Sequence, residues 1–127
     1  MPLSLERTLS QDDFDRFASL SGDDNPIHID PAFSAQSRFG RPVAHGMLLY
    51  TVLAGALEHA YPGASILEQE LMFPNPTYAG EAVTVEVAPS TDPAPIAGTA
   101  WLVTRLRKAD GSLACDGQAL LRLGEAR

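Results

Sequence analysis

The chain has 127 residues, of which 45% are apolar and 20% charged. That composition excludes a disordered tail, a collagen and a low-complexity segment, and points to one domain over residues 1–127. Lys+Arg number 9 against 16 Asp+Glu, a net charge of −7, and no basic run exceeds Arg107-Lys108, so neither nucleic acid nor an anionic membrane is expected as a partner.

Leu3 to Leu9 alternates and reads as an edge strand. Ser10 then caps a helix over Gln11 to Leu20, with Asp13 at the capping-box position and Phe14, Phe17 and Ala18 at helical spacing. Ser21 to Pro26 breaks it, Asp30-Pro31 starts a short helix to about Gln36, and Gly40-Arg41-Pro42 is a further break. A nearly all-apolar helix follows from His45-Gly46 to His59 and stops before Pro62-Gly63. Its run from Gly46 to Leu57 falls well short of the roughly 20 residues of a membrane span. So apolar a helix must be covered on nearly every side, and in a short chain only a curled sheet can do that.

The second half supplies strands. Ser65 to Phe73 is one, and Glu81 to Val87 is another, with Val83, Val85 and Val87 facing one way. Ile96 to Arg107 and Leu113 to Leu123 are two more, joined by the hairpin signal Ala109-Asp110-Gly111. Leu113, Cys115, Ala119, Leu121 and Leu123 share a face of the last strand, and the Pro-rich Ala88 to Pro95 reads as a surface loop. The fold class is α+β, an antiparallel sheet wrapped around a long central helix. The lone Cys115 allows no internal disulfide, and Met1 to Arg7 lacks the apolar stretch of a signal peptide, so a cytoplasmic protein is expected.

Two polar clusters interrupt the apolar pattern. Ser21-Gly22-Asp23-Asp24-Asn25-Pro26-Ile27-His28 can place a carboxylate and an imidazole on one side of a turn, where they orient a water and exchange protons near neutral pH. The plainer reading is a loop in which Asp23 and Asn25 cap nearby backbone. In Arg41-Pro42-Val43-Ala44-His45-Gly46-Met47, Gly46 opens the apolar helix, and its N–H lacks an intrahelical acceptor. Such an N–H can polarise a thioester carbonyl, although the glycine could equally serve close packing. His45 reads as a cap or a core histidine, and His59 as a partner of the helix dipole. No metal-ligand spacing, nucleophilic serine motif or phosphate-binding glycine loop is present.

These stretches, with Phe73-Pro74 and Gly80-Glu81-Ala82-Val83, resemble the MaoC-like dehydratase family, which includes (R)-specific enoyl-CoA hydratases. The resemblance implies a hot-dog fold and a homodimer whose active sites lie at the subunit interface. It places the catalytic pair on Asp23 and His28, a supporting asparagine on Asn25 and the carbonyl-binding N–H on Gly46. It implies an acyl pocket beside Ala54 and Leu57, and an acyl-CoA substrate hydrated to an (R)-3-hydroxyacyl thioester without cofactor or metal. The net charge of −7 requires the CoA phosphates to be met locally. Arg38 and Arg41 are the first candidates, with Arg105, Arg107 and Lys108 as competitors at one strand end. Alternatives are a thioesterase of the same fold, a dehydratase acting on acyl-carrier protein, and a non-catalytic subunit of a hetero-pair.

Overall fold

In the computed structural model, which describes residues 3–90 and 96–124, strand β1 spans Leu3–Thr8 and helix α1 spans Gln11–Ser21. Two short helices follow, α2 over Pro26–Ile29 and α3 over Pro31–Ala35, and then the long α4 over Gly46–Ala60. The remaining strands are β2 Ser65–Met72, β3 Ala82–Ser90, β4 Thr99–Lys108 and β5 Leu113–Arg122. They form one five-stranded antiparallel sheet in the order β1-β3-β4-β5-β2.

Local chemistry accounts for the boundaries. Ser10 and Asp13 close a reciprocal capping box on α1, and Gly22 ends the helix at φ 80°, where a Cβ would be strained. Lys108 and Ser112 flank the β4–β5 hairpin, whose Gly111 takes φ 89°.

The core lies between α4 and the concave sheet. Leu49, Leu53, Ala56 and Leu57 pack on Val83, Val85, Val87, Leu102, Leu106, Cys115 and Leu121. Burial of these side chains, at roughly 1.5–3 kcal/mol for each large one, is the main stabilising contribution. The sheet leaves part of α4 open: Met47, Thr51, Gly55 and Glu58 form an exposed stripe, Met47 being 58% accessible. The expected near-complete cover is therefore not reached within one chain, because a single five-stranded sheet meets one side of the helix.

Three expectations change. Ala88, Pro89 and Ser90 are not loop but the end of β3, paired with Val103, Leu102 and Trp101. Pro89 is carried in this strand end opposite Leu102 of β4. The rest of that expected loop, 91–95, lies outside the described residues. Leu123 is exposed beyond the end of β5, and Ile96 is exposed before β4 begins. No helix among the described residues is long and apolar enough to cross a membrane.

Candidate active site

Asn25 builds the platform for His28. Its Oδ1 accepts from the Ile27 N–H at 3.0 Å and Pro26 follows at the first helical position, so α2 is capped into a single turn. Ser34 holds that turn from the other side through the carbonyls of Ile27 and Asp30. The extended segment 43–45 runs along α2. The Val43 N–H donates to the Ile27 carbonyl, and the Val43 carbonyl lies 2.8 Å from His28 Nδ1.

A carbonyl only accepts, so His28 carries its proton on Nδ1 and presents a bare Nε2 lone pair. That Nε2 lies 3.9 Å from Asp23 Oδ2. The gap is too long for a direct hydrogen bond, but one water can donate to both atoms at about 2.8 Å each. A water so held keeps its oxygen lone pairs for attack. His28 is largely enclosed, whereas the Asp23 side chain is 55% accessible, so the pair opens to the surface of the single chain.

His45 is the participant whose role sequence spacing left open. It is buried, and its ring stacks on that of His28 with centroids 3.8 Å apart. Its Nε2 lies 2.9 Å from the Asp23 carbonyl and must be the donor; its Nδ1 is then a buried lone pair without a partner among the described residues. Burial, opposed in part by that carbonyl, holds the His45 imidazole below its ordinary value of 6.5. Asp23, His28 and His45 bring one possible metal-ligating atom each within 4.8 Å. A metal bound through His45 Nε2 would have to break the bond to Asp23.

Gly46 is the first residue of α4, and among the described residues nothing accepts its N–H. A Cβ at this position would lie 2.9 Å from the edge of the Phe73 ring. Gly46 and Phe73 line a cavity of about 420 Å³ together with Arg38, Asn75, Thr77 and Tyr78. Neither Asp23 nor His28 lines it.

The expected basic residues divide. The Arg38 guanidinium lies 4.7 Å from the Phe39 ring, and that of Arg41 4.1 Å from the Tyr78 ring, both rings lining this cavity. Arg105, Arg107 and Lys108 do not form one patch, because strand alternation turns Lys108 to the opposite face. Arg105 pairs with Asp116 at 2.9 Å and Arg107 with Glu86 at 2.7 Å. Lys108 is enclosed, bonded to the Pro76 carbonyl and 3.4 Å from Glu81. Ala54 and Leu57 line a separate cavity of about 50 Å³ with Tyr61 and Ile66. Burial pushes the Cys115 thiol up to about 11, so it is no nucleophile at neutral pH.

Comparison with known proteins gives the family and the fold. A family model described as "MaoC like domain" matches residues 2–93. The chain is 43% identical over 111 residues to the (R)-specific enoyl-CoA hydratase of Aeromonas caviae, an alignment covering 84% of this chain and 81% of that one. It is 30% identical to the 3-hydroxybutyryl-CoA dehydratase of Methylorubrum extorquens, covering 94% and 76% respectively. Among solved structures, the (R)-hydratase from A. caviae superposes with a TM-score of 0.89 at 36% identity, covering 97% of this chain and 94% of that one. R-hydratase PhaJ1 from Pseudomonas aeruginosa does so with 0.88 at 29% identity, covering 99% and 81%. The fold is the hot dog of these hydratases, and the chain belongs to the MaoC-like dehydratase family.

Proposed function

We propose that this protein is an (R)-specific enoyl-CoA hydratase, adding water to the double bond of a trans-2-enoyl thioester to give the (R)-3-hydroxyacyl thioester. The observation that carries the reading is the 3.9 Å gap between Asp23 Oδ2 and the bare Nε2 of His28, beside a helix that begins with a Gly46 N–H that has no acceptor among the described residues. In the proposed reaction the Gly46 N–H holds the thioester oxygen and stabilises the enolate. Water bound between Asp23 and His28 attacks C3, and the pair takes one of its protons. The C2=C3 electrons move toward the thioester, and the pair returns a proton to C2 on the same face. The two groups are treated as one acid–base unit. No electrons leave the substrate, so no redox cofactor enters the scheme.

The assembly proposed is a homodimer. The support is exposed apolar surface: Ile66, Leu67 and Met72 on edge strand β2, Phe73 just after it, and Met47 on the open stripe of α4. A second copy would also close the open side of Asp23. Arg38 and Arg41 are proposed to meet the CoA phosphates, since both lie beside the cavity that Gly46 lines. Ala54 and Leu57 are proposed to floor the acyl pocket. A cytoplasmic location is proposed on the buried free thiol of Cys115. The test is loss of the conjugated-enone absorbance of enoyl-CoA substrates, with the product's configuration read by a stereospecific coupled dehydrogenase. Formation of free CoA instead would indicate a thioesterase.

A further inference from the structure

We propose that His45 is a positioning residue that fixes the water-binding pair and the carbonyl-binding N–H in one frame. This rests on the hydratase reading above. Asp23 follows α1, His28 rides on α2 and Gly46 begins α4, so three elements must agree on one geometry. His45 touches all three. Its Nε2–H donates to the Asp23 carbonyl at 2.9 Å, its ring stacks on His28 at 3.8 Å, and its own backbone is the N-cap of the helix that Gly46 opens.

As an N-cap, His45 is unusual, because its side chain makes no bond to the helix it precedes. Ser, Thr, Asp or Asn would serve that helix better. The imidazole instead reaches back 22 residues to the Asp23 backbone. It does so while leaving its Nδ1 buried without a partner among the described residues. Burying an unpaired polar atom is destabilising, so filling space does not explain the choice, whereas a donor aimed at Asp23 does. The Phe17 ring meets the His45 ring edge-on at 4.9 Å and fixes its plane.

The neutral state of His45 matters as well. The titratable side chains facing it are His28 and Asp23. A charged His45 stacked on His28 would oppose protonation of the Asp23/His28 pair, which the acid step requires. A neutral ring places no such charge there.

The test uses two variants of the purified enzyme and one spectrum of the wild type. His45→Phe keeps a stacked ring and deletes the donor, whereas His45→Gln keeps a donor at the Nε2 position and loses the ring. The expected result for His45→Phe is a fall in kcat of about 10-fold or more with KM changed less than about 3-fold, since displaced catalytic groups act on the transition state. His45→Gln is expected to recover most of that loss. Unchanged kcat per folded subunit in His45→Phe, or equal damage in both variants, would overturn the proposal. If His45→Phe does not fold, ring-nitrogen NMR of the wild type decides. The expected spectrum has the His45 proton on Nε2, with a titration midpoint below the ordinary 6.5. A proton on Nδ1, or a midpoint at or above that ordinary value, would overturn the clamp. Failure of the wild type to hydrate enoyl thioesters would overturn the functional reading alone, and the spectrum would still decide the clamp.

Discussion

The Nδ1–H of His28 donates to the Val43 carbonyl over 2.8 Å, and this one bond decides which ring nitrogen can act on water. Val43 is held in turn by the Ile27 carbonyl, one residue before His28. Imidazole and acceptor therefore belong to one rigid patch, and Nε2 is left bare toward Asp23.

The cap on α2 gives the first prediction. Asn25→Ala removes the acceptor of the Ile27 N–H and is expected to cost about 1 kcal/mol, as lost N-caps do. Its kcat should fall less than that of an Asp23 or His28 variant, because Asn25 orients the turn and moves no proton. Urea unfolding paired with steady-state kinetics measures both quantities.

Gly46 allows a test of the carbonyl-binding N–H. Proline suits the first helical position, and His45 already has the extended conformation that precedes proline, at φ −62° and ψ 139°. Gly46→Pro deletes the N–H, while Gly46→Ala retains it; both push on the exposed Phe73 ring. The expected loss in kcat is about 100-fold for proline and far smaller for alanine. Equal losses would assign the effect to Phe73.

The arginine assignment predicts a dependence on salt. Raising ionic strength, or Arg38→Ala and Arg41→Ala, should raise KM for enoyl-CoA and leave kcat nearly constant, since the nucleotide is bound alike in ground and transition states. A pantetheine thioester without the nucleotide should respond little. Arg105→Ala and Arg107→Ala should not raise KM, because those guanidiniums are engaged by Asp116 and Glu86.

Acid stability follows from His45. Its folded value lies below the ordinary 6.5, so the unfolded chain takes the proton first as pH falls. The stability contributed by the neutral buried ring is complete above about pH 6.5 and is lost as pH falls toward the lower folded value. The hydrogen bond from Arg107 lowers Glu86 from 4.5, so that pair contributes stability above 4.5 and loses it in stronger acid. Urea midpoints between about pH 8 and pH 5 should therefore decline in the wild type and decline less in His45→Gln.

Much of this architecture was legible in the sequence. The capping box of Ser10 and Asp13, the Asp110-Gly111 turn and the apolar run after Gly46 are local signals, and each became the expected element. The turn that carries His28 was not legible as a helix, since four residues are too few to establish a period. Pro89 concealed the end of β3, because its place opposite Leu102 of β4 is set by register across the sheet and not by local sequence. Strand register also decides the fate of the basic residues: Arg105 lies directly opposite Asp116 and Arg107 diagonal to Glu86, pairings invisible before the sheet forms. At the candidate site, type and spacing singled out the clusters that hold Asp23, His28 and Gly46, while the roles proposed for them and for Asn25 came from the family resemblance. His45 did not, because its partner lies 22 residues away and its only local signal was a polar residue opening an apolar helix.

Assembly can be checked independently of chemistry. Light scattering should report a dimer, and Leu67→Lys on the exposed edge of β2 should shift it toward monomer and lower activity. Dilution below the dimer constant should also lower specific activity if the site is shared. A fully active monomer would contradict the proposed assembly.

The proposed hydration depends most directly on Asp23 and His28 acting together on one water across 3.9 Å. The decisive measurement is kcat for enoyl-CoA hydration in Asp23→Ala and His28→Ala, with circular dichroism and light scattering confirming native fold and assembly. Joint action of the pair requires a fall of at least about 100-fold in each, the scale on which general acid–base groups contribute. Near-normal turnover in either folded variant would contradict it.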